Sequence, residues 1–223
     1  MEESNYIIKY SNVEIQNKGI PIFKNLDFLL KQGELMYLSG TSSAGSRILL
    51  ASFYAHASIN GNEAKILDYD LLDITREKTT ELRQRIGLVL SENFLYENIS
   101  LEENLHRFQD IFSEISSKTT DQNLNEWLMS FDLDPVALPE HISENDRILF
   151  SLAKAMLNKP QILFIEDHFS QLNFNSQTMI MDKIIQRIRA FQLSVVMIQS
   201  NSDFIDRYPG LIYTCDEIKS KVS

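Results

Sequence analysis

A short stretch of small residues between two apolar runs constrains this chain more than any other feature. Residues 35–38 are apolar, residues 40–46 are almost all Gly, Ser, Thr or Ala, and residues 48–53 are again mostly apolar. This order predicts a strand, a tight loop and a helix. Such a loop directs its backbone N–H groups and the N-terminus of the helix at an anion.

The loop matches the phosphate-binding pattern G-x-x-x-x-G-K-[ST] only in its glycines. Gly40 and Gly45 have the required spacing, whereas Ser46 stands at the lysine position and Arg47 at the hydroxyl position. The sequence thus keeps the scaffold of a phosphate site without its two chemical groups. The candidate phosphate-binding residues are Gly40, Thr41, Ser42, Ser43, Ala44, Gly45, Ser46 and Arg47.

Composition predicts one globular domain spanning residues 1–223. The chain is 43% hydrophobic and 23% charged, which leaves ample apolar area for a core. Its net charge of -10 opposes nonspecific binding to nucleic acid or to an anionic lipid surface. With Cys215 as the only cysteine, no intrachain disulfide can form, and we expect a reducing, cytoplasmic location. No apolar run approaches the roughly 20 residues of a membrane helix.

Strand-like and helix-like segments alternate along the chain. Two strand segments, residues 6–15 and 22–30, precede the loop strand and favour an antiparallel pair. The later strand predictions alternate with helical segments, among them a helix over residues 147–157, and this predicts a largely parallel sheet covered on both faces. These strands are residues 64–69, 86–90, 161–165, 194–198 and 211–214. Residues 92–146 have helical periodicity and indicate a helical insertion. The fold class is therefore α/β.

The order of these features resembles the nucleotide-binding domain of ABC transporters over the whole chain, and within that family the FtsE-like cell-division ATP-binding proteins. The resemblance implies a P-loop NTPase fold. Its parts are a RecA-like parallel core, an antiparallel β-subdomain and an inserted helical subdomain at about residues 92–146. The segments that carry it are residues 25–40, 82–90, 153–160, 162–167 and 204–215.

The same resemblance implies ATP and Mg²⁺ as cofactors. However, nearly every position that would bind them holds a residue different from the family's. The Q-loop glutamine falls at Ser91 and the switch histidine at Ser200. The Walker B aspartate, which would hold Mg²⁺, aligns with Glu166, and the catalytic glutamate aligns with Asp167. Asp167 is one methylene short for orienting water. Arg47 supplies charge, but its place one residue along the helix predicts that it points away from the phosphates.

The positions that would contact a second subunit and the adenine base also differ from the family's residues. The family's LSGGE signature aligns with residues 142–146, where Ser143 is kept and Glu144 replaces a glycine. A carboxylate directed at the phosphate of an opposite subunit is electrostatically unfavourable. The aromatic residue that stacks on adenine should lie near Gln16 or Asn17, and neither is aromatic.

These departures predict a pseudo-ATPase that binds nucleotide poorly and does not hydrolyse it. The resemblance implies a subunit at the cytoplasmic face of the plasma membrane that docks on an FtsX-like membrane protein and pairs as a homo- or heterodimer with an ABC ATPase. Its role would be structural or regulatory. The family's insertion helices form the groove for the membrane partner, which makes Phe94, Leu95 and Tyr96 candidate partner contacts.

Two alternatives remain open at this point. The first is an atypical but active ABC ATPase, in transport or cell division, that uses Arg47 and Asp167. The second is a stand-alone interaction protein with no transporter partner. For Glu166 and Asp167, the sequence favours a pair of solvated carboxylates at a strand end over a metal site.

Overall fold

The computed structural model describes residues 6–39, 43–90, 95–116, 123–166, 172–199 and 201–214, and the side chains of residues 43–44 and 112–116 are not described. A five-stranded parallel sheet carries the loop strand as its second strand. Its spatial order is β10 (Leu211–Thr214), β3 (Leu35–Ser39), β9 (Ser194–Ile198), β8 (Ile162–Ile165) and β7 (Ile86–Val89).

The second sheet is antiparallel and is built around the first strand of the chain. Strand β1 pairs with β2, β4 and β5, and β5 pairs with β6. Its strands are β1 (Tyr6–Asn17), β2 (Ile20–Lys31), β4 (Ser58–Asn60), β5 (Glu63–Ile66) and β6 (Tyr69–Asp70). The predicted α/β fold with a parallel core sheet and an antiparallel sheet is therefore confirmed. The short strands β4 and β6 were not predicted as separate strands.

Seven helices lie in the described ranges. They are α1 (Ser43–Phe53), α2 (Arg76–Gln84), α3 (Leu101–Ser116), α4 (Leu124–Met129), α5 (Glu144–Met156), α6 (Phe174–Phe191) and α7 (Ser202–Arg207). A 3-10 turn at Pro139–His141 precedes α5. Helix α5 begins before the predicted start at Arg147, because Ser143 caps its first turn.

The parallel sheet separates two apolar cores, because successive side chains of a strand point to opposite faces. In β3, Leu35 and Tyr37 belong to the core shared with the helices α3–α6, whereas Met36 and Leu38 belong to the core shared with α1, α2 and the antiparallel sheet. Strands β8 and β9 alternate in the same way. Burial on both faces explains why these strands read as continuous apolar runs in the sequence.

Gly87 allows helix α5 to pack closely on the edge strand β7. A Cβ atom at Gly87 would lie 2.6 Å from the carbonyl oxygen of Ala155 and 2.8 Å from Cδ1 of Leu163. Glycine is therefore needed here for close approach of backbone to backbone, and not for a special backbone conformation.

Replacing Gly87 by Ala should destabilise the fold by about 2 kcal/mol, since the added methyl must displace the α5 backbone. Chemical denaturation of both proteins measures the change. Gly19→Ala is the comparison: its Cβ meets nothing within 4 Å but its φ is +80°, so we expect a smaller cost of about 1 kcal/mol. An equal or larger effect at Gly19 would contradict the packing argument.

Candidate functional site

The carboxyl ends of the parallel strands meet at one edge, where Glu166 and Gln199 follow two of the strands. Glu166 follows β8 and donates its backbone N–H to Val89 O at 2.9 Å. Gln199 follows β9 and donates its backbone N–H to Leu38 O at 3.2 Å. Helix α1 starts beside the end of β3. This edge is where ligands bind in open α/β sheets.

Arg47 turns toward Glu166 at this edge, a partner that the sequence did not predict for it. Its Nε lies 3.8 Å from Oε2 of Glu166, so the guanidinium faces the carboxylate that follows β8. The side chain of Glu166 is 11% exposed and that of Arg47 is 57% exposed. The long arginine side chain returns to the edge because a nearly buried carboxylate there favours a cation.

The ion pair stands where the metal of a P-loop nucleotide site would bind. In such sites Mg²⁺ is held by the loop hydroxyl and by the Walker B aspartate. Here Arg47 replaces the hydroxyl, and the carboxylate of Glu166 faces a guanidinium. The donor set at these two positions therefore does not fit Mg²⁺. Ser46, at the lysine position, is only 3% exposed and its neutral hydroxyl cannot neutralise phosphate charge.

Several predicted site residues lie outside the described residues or are described only in part. The structure gives no account of Gly40, Thr41, Ser42, Ser91, Phe94, Asp167 or Ser200, and it gives only the backbone of Ser43 and Ala44. Gly45 is buried near the start of α1. The roles predicted for these residues stay predictions.

An open groove of about 360 Å³ runs beside α1, and it contains an aromatic pair that the sequence reading missed. Gln16 and Asn17 line one wall, as expected for the region of the base. Tyr54 and His56 also line the groove, and their rings stack with centroids 5.9 Å apart and an interplanar angle of 22°. Their position directly after the loop helix could have indicated that these aromatic residues lie near the site. Burial raises the pKa of the Tyr54 hydroxyl, and the nearby Glu166 carboxylate raises it further.

The signature-like segment is closed by its own hydrogen bonds. Ser143 is the N-cap of α5: its Oγ accepts from the Asp146 N–H at 3.2 Å, and its own N–H donates to Asp146 Oδ2 at 3.2 Å. The Ser143 hydroxyl also lies 2.7 Å from Asp146 Oδ2. Both Ser143 groups that would face a phosphate are thus engaged within the helix. Glu144 adds a second carboxylate to this first turn. Acidic side chains there interact favourably with the helix dipole and repel a bound anion.

Removing the Ser143 hydroxyl should lower the free energy of unfolding by about 1 kcal/mol, the usual worth of a serine N-cap. Urea denaturation of Ser143→Ala measures it, with Ser202→Ala at an exposed position of α7 as the control. Equal stability of Ser143→Ala and the wild-type protein would show that the capping box contributes nothing.

The candidate partner segment is fixed to α3 by one buried amide. The Asn104 side chain accepts from the Tyr96 N–H at 2.8 Å and donates to the carbonyl oxygens of Tyr96 and Ser100, both at 3.0 Å. Tyr96 is 42% exposed, and the Arg107 guanidinium carbon lies 4.9 Å from its ring centroid. Leu95 is 7% exposed and packs in the core of the helices, so only Tyr96 presents a described surface to a partner.

The same segment is tied to α5 by an ion pair. Nη1 and Nη2 of Arg147 each lie 3.1 Å from one carboxylate oxygen of Glu97. Through these hydrogen bonds the guanidinium lowers the pKa of the Glu97 carboxyl below its ordinary value. Tyr96 and Glu97 are therefore held by side chains of two helices, α3 and α5.

A second groove, of about 390 Å³, separates the parallel sheet from the inserted helices. Phe108 and Leu88 give it apolar walls, and the Lys154 ammonium lies 6.0 Å from the Phe108 ring centroid. Burial lowers the pKa of Lys154. The groove combines apolar surface with cations, a composition suited to a helix that has acidic or polar ends.

The part of the chain that the structure describes has neither a metal-binding cluster nor a membrane-spanning helix. No cluster of three or more His, Cys, Asp or Glu residues there is arranged to hold a metal ion. Likewise, none of the described helices combines the length and the apolarity needed to cross a membrane.

Comparison with known proteins extends these observations. A family profile described as "ABC transporter" matches residues 23–170. The cell division ATP-binding protein FtsE of Streptococcus pneumoniae is 22% identical over 213 residues, which cover 92% of this chain and 87% of that protein. The methionine import ATP-binding protein MetN 1 of Pseudomonas fluorescens is 22% identical over 218 residues, which cover 95% of this chain and 63% of that protein.

Solved structures share the fold at lower identity. CbiO1 of Clostridium perfringens, part of the ABC transporter complex CbiONQ, superposes with a TM-score of 0.75 at 16% identity and covers 95% of this chain and 85% of its own. A dimeric ATP-binding cassette in a post-hydrolysis state with ADP and phosphate gives 0.77 at 19% identity, with 94% of both chains covered. At these identities the likeness concerns the fold alone.

Proposed function

Because this chain belongs to the ABC transporter family, we propose that it is an FtsE-like subunit that does not hydrolyse ATP. It serves as the structural or regulatory partner of an FtsX-like membrane protein at the inner face of the plasma membrane. The observation that carries the proposal is the ion pair between Arg47 and Glu166.

The ion pair leaves no carboxylate available to bind Mg²⁺ at this position. Phosphoryl transfer in P-loop proteins depends on Mg²⁺ to bridge the phosphates and neutralise the developing charge. Position 46 holds no lysine, and the guanidinium that faces Glu166 belongs to a side chain that is 57% exposed. Such a site lacks the fixed charges that hydrolysis requires.

The signature-like segment supports the same conclusion for a dimer. If the chain pairs head to tail with an ABC ATPase, the partner's nucleotide faces the first turn of α5. Glu144 and Asp146 place negative charge there, and Asp146 binds both polar groups of Ser143. Both composite sites of such a dimer would be impaired, which favours a role in assembly or gating over turnover.

The thermal stability of the wild-type protein should therefore be the same in millimolar ATP with Mg²⁺ and in ATP with EDTA. A ligand that binds the native state must raise stability. Reinstating the family residues in a triple variant, Ser46→Lys, Arg47→Thr and Glu166→Asp, should create a rise in melting temperature of about 5 °C that needs Mg²⁺.

The single change Glu166→Asp is the matched control, since it shortens the carboxylate but leaves Arg47 in place. A Mg²⁺-dependent rise in the wild-type protein, or measurable ATP hydrolysis by it, would overturn the proposal.

The membrane-partner half of the proposal rests on the inserted helices. Tyr96 is exposed, its backbone is hydrogen-bonded to Asn104, and its neighbour Glu97 is paired with Arg147. A preorganised exposed aromatic residue is typical of an interface hot spot.

Tyr96→Ala should reduce co-purification with the FtsX-like membrane protein about tenfold, as expected for loss of a hot-spot aromatic residue. The measurement is the amount of chain retained on the tagged, detergent-solubilised membrane protein when the two are co-expressed. Ile20→Ala, at a 65% exposed apolar residue of the antiparallel sheet, is the control. Equal retention of both variants would refute the docking surface.

One observation favours the second candidate function, an atypical ATPase. The guanidinium of Arg47 lies beside Glu166, so a cation remains at the carboxyl edge of the sheet. In that case the base would be Asp167. Hydrolysis that is present in the wild-type protein and lost in Asp167→Asn would establish it.

A further inference from the structure

A pocket of about 290 Å³ lies at the opposite edge of the parallel sheet, where β8 and β9 begin. Its walls come from α4, from the end of α5 and from the end of α6. The lining residues are Gln32, Trp127, Met156, Lys159, Pro160, Gln161, Arg187, Phe191, Gln192 and Leu193. The volume is close to the lower bound for small-molecule sites, which are mostly apolar with a few placed polar groups.

Arg187 is held against the wall of this pocket by three aromatic rings. Its guanidinium carbon lies 4.8 Å from the ring centroid of Trp127, 4.9 Å from that of Phe131 and 5.7 Å from that of Phe191. The Trp127 ring is itself fixed, since its Nε1–H donates to the carbonyl oxygen of Ala153 at 3.0 Å. The guanidinium and the indole are thus preorganised side by side.

The charge of Arg187 is not matched by a carboxylate within the described residues. One of its five N–H donors contacts Ser130 Oγ at 3.2 Å. One turn earlier on α6, Lys183 does have an acidic partner, Asp132, at 2.6 Å. Burial lowers the pKa of Arg187, yet a guanidinium remains protonated in proteins.

The charge of the pocket lining is opposite in sign to the net charge of the chain. The sequence has 31 acidic and 21 basic side chains. The pocket nevertheless contains two basic residues, Lys159 and Arg187, and no acidic residue among those that line it. A partly desolvated guanidinium beside aromatic walls matches an anion with a flat apolar body.

We propose that this pocket is a binding site for a small aromatic carboxylate, with the carboxylate on the guanidinium of Arg187 and the ring against the apolar lining residues Met156, Pro160 and Leu193. The site lies at the edge of the sheet opposite Arg47 and Glu166. It does not depend on whether nucleotide binds or whether a membrane partner docks.

Trp127 is the only tryptophan in the chain, so labelling with 5-fluorotryptophan places a single ¹⁹F reporter in this pocket. Titration with 3-phenylpropanoate should shift the ¹⁹F signal to saturation. The neutral 3-phenylpropanamide should bind about tenfold more weakly, because it cannot form the charge-assisted pair. Arg187→Gln should weaken binding of the carboxylate by a similar factor and leave the amide unaffected.

Arg189→Gln is the matched control, since Arg189 is an exposed arginine on the same helix that does not line the pocket. Arg187→Lys, which keeps the charge, should bind the carboxylate with intermediate affinity and guards against loss of the fold. Three outcomes would overturn the proposal. They are an unmoved ¹⁹F signal at saturating probe, equal affinity for acid and amide, and a melting temperature lowered by Arg187→Gln with carboxylate binding unchanged. The last would identify Arg187 as a clamp between α4 and α6 only.

Discussion

The parallel sheet between two apolar cores is the constraint on which the rest of the molecule depends. Alternate side chains of β3, β8 and β9 are buried on opposite faces, so each face must be covered, by the helices α3–α6 on one side and by α1, α2 and the antiparallel sheet on the other. This requirement fixes where the strands end. The edge that would hold a nucleotide therefore exists whether or not the residues there can process one.

Apolar runs and turn signals were enough to predict the α/β class and most of the strands, because burial on both faces produces long apolar stretches. The three-residue strand β4 has no such run, and its pairing with β1 depends on a distant segment. The contact between Arg47 and Glu166 was not predicted for the same reason, since Glu166 lies far away in the sequence. Among Phe94, Leu95 and Tyr96 no periodicity distinguished the buried leucine from the exposed tyrosine.

The departures from the family pattern are mutually consistent. Where a metal would have been held, a cation of the chain faces the carboxylate, as Arg47 does for Glu166. Where a neighbouring subunit's phosphate would have been bound, Asp146 accepts the hydrogen bonds of Ser143. In both places a group that the family pattern would direct at a ligand has a partner within the chain.

The attachment of the Tyr96 segment has a mechanical consequence. Asn104 joins this segment to α3, and the two hydrogen bonds between Arg147 and Glu97 join it to α5. A load applied at the exposed tyrosine is shared between two helices and enters the body of the protein along α5, which packs on β7. A force at Tyr96 would therefore act on both helices together and not on one of them alone.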